Sequence, residues 1–135
     1  MRLSVILFAA LTLSARAQVW TITPTWETTR AKDAEPIAYQ WRATVNHGLA
    51  GRLTGNSMRP YIEPGDLLLW EPRFGKLKGR VLLISNGGDR LPTAHYCYDE
   101  DRTHVFMVGL NNRVSDGWIA KDRATHALVT VVKTP

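Results

Sequence analysis

The run Gly55-Asn56-Ser57-Met58-Arg59-Pro60, with Pro64-Gly65-Asp66 close behind it, is the part of this chain best built to present a reactive group. Gly55 lets the backbone turn sharply with no side chain blocking an approaching substrate. Ser57 then falls in a loop between two strand-like segments, where a hydroxyl can point into a cleft. Met58 is flexible and apolar, suited to lining a groove. Pro60 stiffens the exit, and Pro64-Gly65-Asp66 reverses the chain into an apolar segment. The chemistry open to such a loop is nucleophilic attack by the hydroxyl, which needs a neighbouring base to take its proton. By spacing alone the run is a well-structured loop, and a loop serine is usually just solvated.

The combined pattern adds more. Ser57-Met58-x-Pro60 followed by Pro64-Gly65-Asp66 resembles the serine box of signal peptidase I, and Gly55-x-Ser57-Met58 is similar to the box of LexA-like self-cleaving proteases. The resemblance covers roughly residues 53–132 and implies that Ser57 is a nucleophile, with Asn56, Met58 and Pro60 around the oxyanion site and substrate groove. Bacterial members use a lysine as base at the start of a later strand. The aligned run here, Leu91-Pro92-Thr93-Ala94-His95-Tyr96, contains no lysine and offers His95, as the endoplasmic-reticulum and archaeal signal peptidases do. A histidine serves as base near neutrality without deep burial. The stretch Gly109-Leu110-Asn111-Asn112-Arg113-Val114-Ser115-Asp116 resembles the Gly-Asp-Asn box. Asp116 matches the acid that orients the base, with Asn111 and Ser115 as supports.

Two positions depart from the family. Gly55 stands where many signal peptidases carry a serine, which leaves the oxyanion to backbone N–H groups, that of Ser57 included. Leu110 stands where an aspartate is usual, which removes a second carboxylate. Blander readings stay open beside each assignment: a structural loop serine, a half-buried strand histidine, and an aspartate that caps the turn before Gly117. A Ser–Lys dyad through Lys76 or Lys78 is the catalytic alternative. Both lysines lie in a polar, glycine-flanked stretch where an exposed ammonium stays protonated. His47, His104 and His126 have no motif around them.

The elements that must position these residues read as short strands divided by turns. Residues 52–54 lead into Gly55, and 67–70 and 81–84 are apolar strands. Residues 93–98 and 104–108 flank a polar hairpin loop at 99–103, and 128–132 is a final β-branched strand. No stretch after residue 50 has a helical period. The expectation is an all-β, mainly β domain, folded as a small sheet or half-barrel of the LexA and signal peptidase type. Upstream, residues 19–23 are strand-type, 27–36 are polar and read as a loop, and 37–45 mix strand and helix signals.

Length and composition set the bounds. The chain has 135 residues, enough for one domain. Its net charge of +5 includes Arg2 and Arg16 in the first segment, so the remainder is too mildly basic to argue for nucleic acid. One cysteine, Cys97, excludes an intramolecular disulfide and reads as a small buried hydrophobe. The histidines lack metal-ligand spacing, no phosphate-binding glycine loop is present, and no metal or cofactor is expected. Met1-Arg2, an apolar run over residues 3–13 and Ala15-x-Ala17 have the three-part layout of a secretory signal, with cleavage before Gln18. An uncleaved anchor is the other reading of the same residues. The organisation expected is therefore 1–17 signal peptide or anchor, 18–50 N-terminal arm, and 51–135 peptidase-like domain.

Together these features lead us to expect an extracytoplasmic serine endopeptidase that cleaves extended, exported polypeptides through an acyl-enzyme, with membrane association among its expected properties. A peptide-binding module that keeps the fold without turnover is the competing class, motivated by Gly55 and Leu110. A self-cleaving regulator is disfavoured by the secretory start and by the lack of a DNA-binding helical domain.

Overall fold

The computed structural model describes residues 20–135. The expected signal or anchor at residues 1–17 lies outside the described residues. The fold is mainly β, as its strand-and-turn pattern implies. In chain order it runs β1 (Glu27–Arg30), α1 (Glu35–Thr44), β2 (Leu49–Arg52), β3 (Leu67–Pro72), β4 (Val81–Ile84), β5 (Thr93–Glu100), β6 (His104–Val108), β7 (Gly117–Ala120) and β8 (Ala124–Lys133), with one 3-10 turn before β8. The strands form one sheet in the order β2-β3-β8-β4-β5-β6-β7, open at both ends. Neighbours along that path are antiparallel. β1 lies off it and pairs with β8 in parallel. No helix among the described residues is long and apolar enough to cross a membrane.

β8 is the longest strand, and its β-branched and apolar residues match its central place. Side chains on a strand alternate faces, so residues three apart point to opposite sides unless a bulge intervenes. Val131 and Leu128 nevertheless share the main core with Met58, Ile62, Leu68, Trp70, Val81 and Tyr96. The register shift between Leu69 and Trp70 supplies the extra residue that turns Leu128 to this side. A second shift, opposite Leu83 and Ile84, places Ala127 and Ala124 together in the neighbouring cluster with Leu82, Cys97 and Met107.

Upstream of β2 the structure differs from the sequence expectation. Of residues 27–36, read as a loop, only 31–34 are irregular. Glu27–Arg30 is a strand whose side chains are all exposed, so it pairs through its backbone and carries no apolar alternation. α1 resolves the mixed segment at 37–45. Pro36 sits in its first turn, and Asp33 Oδ1 accepts the Glu35 N–H at 3.0 Å. Ala34, Ala38 and Trp41 recur at helical spacing and pack with Leu67, Leu69 and Val132. Residues 20–25 form no strand; they lie against the main core through Trp20 and Ile22. The segment read as an arm is thus part of the fold, and β2 runs across the expected boundary at residues 50 and 51.

The loop that carries Ser57 is closed at its base. Leu53 N–H donates to Asp66 O at 2.9 Å, and Gly65 N–H donates to Leu53 O at 2.8 Å. Gly65 holds φ +91°, a conformation that disfavours any side chain. The buried Asp66 carboxylate accepts the Glu63 N–H at 2.9 Å and pairs with Lys133 Nζ at 2.6 Å, which ties the loop to the end of β8. Replacing Asp66 by alanine orphans both donors, so Asp66→Ala is expected to lower stability by about 2 kcal/mol. Urea unfolding of the two proteins measures it, as a lower midpoint at an unchanged slope.

Candidate active site

Ser57, His95 and Asp116 come from three separated parts of the sequence, and the fold brings them together in a line. Ser57 opens a turn over residues 57–61, within the loop closed by Leu53 and Asp66. His95 lies on β5 opposite Leu82 and is 7% exposed. Asp116 stands at the start of β7, its N–H donating to Met107 O at 2.8 Å. His95 Nε2 is 3.0 Å from Ser57 Oγ, and His95 Nδ1 hydrogen-bonds to Asp116 Oδ2. With Nδ1–H donated to the carboxylate, Nε2 keeps a lone pair for the serine proton. This is the geometry of an activated hydroxyl nucleophile.

One turn, over residues 109–112, is tied to the loop of Ser57. Asn111 N–H donates to Ser57 O at 2.7 Å, and Asn111 Nδ2 donates to Asn56 O at 3.1 Å. Asn111 thus ties its turn to the loop of Ser57 through both its backbone and its side chain. Gly109 has a role that its motif position did not reveal. A Cβ at residue 109 would stand 2.3 Å from Asn112 Nδ2 and 3.0 Å from His95 Nε2. Glycine is what lets the imidazole and the Asn112 amide share that space. Leu110 is buried in the main core, so the position where the family has an acid is an apolar anchor here.

The other expected site residues part ways. Met58 does not line a groove. It is fully buried among Ile62, Leu68 and Trp70, because its flexible thioether fills the core beneath the turn. Asn56 and Pro60 are exposed and also stand outside the groove that meets Ser57. Asn56 acts through its carbonyl, which accepts from Asn111 and from Arg59 N–H at 3.2 Å. Pro60 follows a cis peptide bond at Arg59. Gly55 holds φ +76°, matching the sharp turn expected of it. Ser115 makes no side-chain hydrogen bond among the described residues, so the acid is placed without it. The N–H groups of Ser57 and Met58 donate to no other described group and are left for a ligand oxygen.

A groove of about 550 Å³ leads to Ser57. One wall is β2 and the residues after it, from Leu49 to Thr54. The other is the run Leu91-Pro92-Thr93-Ala94, and Leu68, Trp70 and Leu83 complete the lining. Both walls were visible in the sequence as chain, but nothing in their composition marked them as facing each other. Lys78 lies 3.8 Å from Asp99, and neither it nor Lys76 bonds Ser57. His126 Nε2 contacts His47 O and His104 contacts Thr103, so these three histidines stand apart from the triad. No cluster of three or more His, Cys, Asp or Glu side chains among the described residues is arranged to hold a metal.

Cys97 lies two residues from His95 and is fully buried in the cluster beside Met107 and Val105. Burial, and then the carboxylates of Glu100 and Asp99, push its thiol up to about 12. Comparison with known proteins yields no match: no family model, no curated protein and no solved structure matches this chain.

Two outcomes are expected. Gly109→Ala must displace Asn112 or His95, and it is expected to lower stability by roughly 1–3 kcal/mol and to perturb the His95 ring resonances in NMR spectra. Cys97 is expected to resist iodoacetamide at about pH 8.5 in the folded protein and to react once urea unfolds the chain. Intact mass before and after unfolding reads the difference.

Proposed function

We propose that this chain is an extracytoplasmic serine endopeptidase of the signal peptidase and LexA-like superfamily, cleaving exported polypeptides through an acyl-enzyme on Ser57. The observation that carries this reading is the continuous line from Ser57 Oγ through His95 to Asp116. Ser57 Oγ attacks the scissile carbonyl carbon while His95 Nε2 takes its proton. Asp116 stabilises the imidazolium that forms and holds the ring in the tautomer that presents Nε2. The tetrahedral oxygen is met by backbone N–H groups, that of Ser57 among them. His95 returns the proton to the leaving amine, and water then repeats the sequence to release the acyl group.

The groove supports an extended substrate. β2 is an end strand of the sheet, hydrogen-bonded only to β3 along its path. Residues 93–95 of β5 pair with β4 on one side, whereas pairing with β6 starts at Tyr96. A peptide laid between these two strand edges gains main-chain hydrogen bonds and faces an apolar lining. Small side chains next to the scissile bond and a membrane-bound pool of substrate follow from the resemblance. The lysine-base alternative is disfavoured by the separate contacts of Lys78 and by the occupied place of His95.

The competing reading, a peptide-binding module without turnover, predicts binding that ignores the triad. The experiment that separates the two incubates wild type, Ser57→Ala, His95→Ala and Asp116→Asn with exported preproteins, with and without lipid, and reads fragments by mass spectrometry. Cleavage is expected to vanish in the first two variants. In Asp116→Asn it should fall by about 10²–10⁴, since the wrong tautomer is then favoured. Fragments that persist in Ser57→Ala would falsify the assignment. Peptide binding with no serine-dependent fragment under any condition favours the module.

A further inference from the structure

The N-terminal segment ahead of β1 grips both catalytic loops. Trp20 Nε1 donates to Asn112 O at 2.8 Å, and its indole packs on Tyr98 with ring centroids 5.1 Å apart. Two residues later, Ile22 N–H donates to Tyr61 Oη at 3.1 Å. The far end of the segment is pinned by Thr25 Oγ1, which donates to Gly79 O at 2.6 Å, and by Trp26 in the main core.

What Trp20 and Ile22 hold is next to the chemistry. Asn112 N–H closes the turn by donating to Gly109 O at 2.8 Å, and the Asn112 amide crowds Gly109 beside His95 Nε2. Within the same turn, Asn111 bonds the Ser57 carbonyl. Tyr61 belongs to the serine loop, and its N–H donates to Met58 O at 3.1 Å. The 109–112 turn therefore touches the base and the nucleophile, and the segment fastens this turn and the serine loop to each other.

We propose that Trp20 is a positioning residue for the Ser57–His95 pair, acting through the 109–112 turn, and that residues 20–26 are a strap that sets the register between the two catalytic loops. The proposal rests on the reading of Ser57 as nucleophile, and it adds to the site a residue far outside the stretch that carries the catalytic motifs. Its physical basis is distance tolerance. A base must stay within hydrogen-bond reach of the hydroxyl it serves, and a displacement of about 1 Å can cost on the order of a hundredfold in rate. The 109–112 turn leaves the end of β6, and the indole N–H anchors its Asn112 carbonyl from outside the catalytic motifs.

The test uses the full chain as wild type, Trp20→Phe and Tyr61→Phe. Phenylalanine at 20 keeps an aromatic ring against Tyr98 and removes the N–H to Asn112; phenylalanine at 61 removes the oxygen that accepts from Ile22. Three quantities are read: the rate of Ser57 modification by a fluorophosphonate together with kcat and KM on a peptide, the low-field NMR signal of the His95 Nδ1 proton, and the melting temperature. Trp20→Phe is expected to slow Ser57 modification and kcat about tenfold with KM unchanged, and to speed solvent exchange of the His95 proton, while the protein stays folded. Tyr61→Phe is expected to act in the same direction. Wild-type rates in a folded Trp20→Phe protein overturn the proposal, and so does a rate loss that only tracks a loss of folded protein. If wild type takes up no fluorophosphonate at Ser57, the nucleophile reading fails. The His95 signal then still decides the strap, and an unchanged signal in Trp20→Phe overturns it.

Discussion

A hydrogen bond from Asn111 N–H to Ser57 O, 2.7 Å long, ties the turn after β6 to the loop between β2 and β3, and the arrangement of the site depends on it. Ser57 sits on a loop between β2 and β3, whereas His95 sits on β5, and loops of this kind are the softest parts of a fold. Backbone contacts are the suitable means of holding them, because they fix chain position without relying on side-chain rotamers. Around this bond are arranged the closed base of the serine loop, the glycine that admits the imidazole, and the buried Leu110 that anchors the turn from beneath.

The sheet supplies what the loops lack. His95 can be rigid because β5 is paired along both edges for part of its length and lies over a packed cluster that includes Cys97 and Met107. The bulges in β8 matter here too. They redistribute side chains between faces so that one strand serves the core below the serine loop and the cluster below the base. A regular strand of the same length, with its period of two, cannot place Leu128 with Val131 and also Ala124 with Ala127.

What the sequence made legible follows physical visibility. β4 and β6 were bounded to the residue, because short apolar runs framed by glycine, asparagine and charge mark buried strands. β8 extends four residues earlier than its β-branched run, through Ala124 and Ala127, which are too small to announce a strand. β1 was hidden because its side chains are all polar and solvent-facing, so only backbone pairing defines it. α1 was obscured by β-branched residues, although Ala34, Ala38 and Trp41 already had helical spacing. At the site, Ser57, His95 and Asp116 were selected by motif and are brought together by the fold. Met58 was misplaced, because a flexible apolar side chain next to a nucleophile suits a groove wall and a core equally well. Gly109, Asn112 and Trp20 act through distances across the chain, which no local pattern encodes.

The position of β8 has a further consequence, for the order of events during synthesis. This strand follows all the others described along the chain, yet it lies between β3 and β4, pairs with β1, and through Lys133 fixes the loop that holds Ser57. Until residues 124–133 are made, β3 and β4 have no common neighbour, and the two halves of the sheet stay unjoined. The loop of Ser57 and the strand of His95 then lack the continuous sheet that joins them. The register that sets Ser57 opposite His95 thus waits for the last strand, a pairing between parts of the chain far apart in sequence.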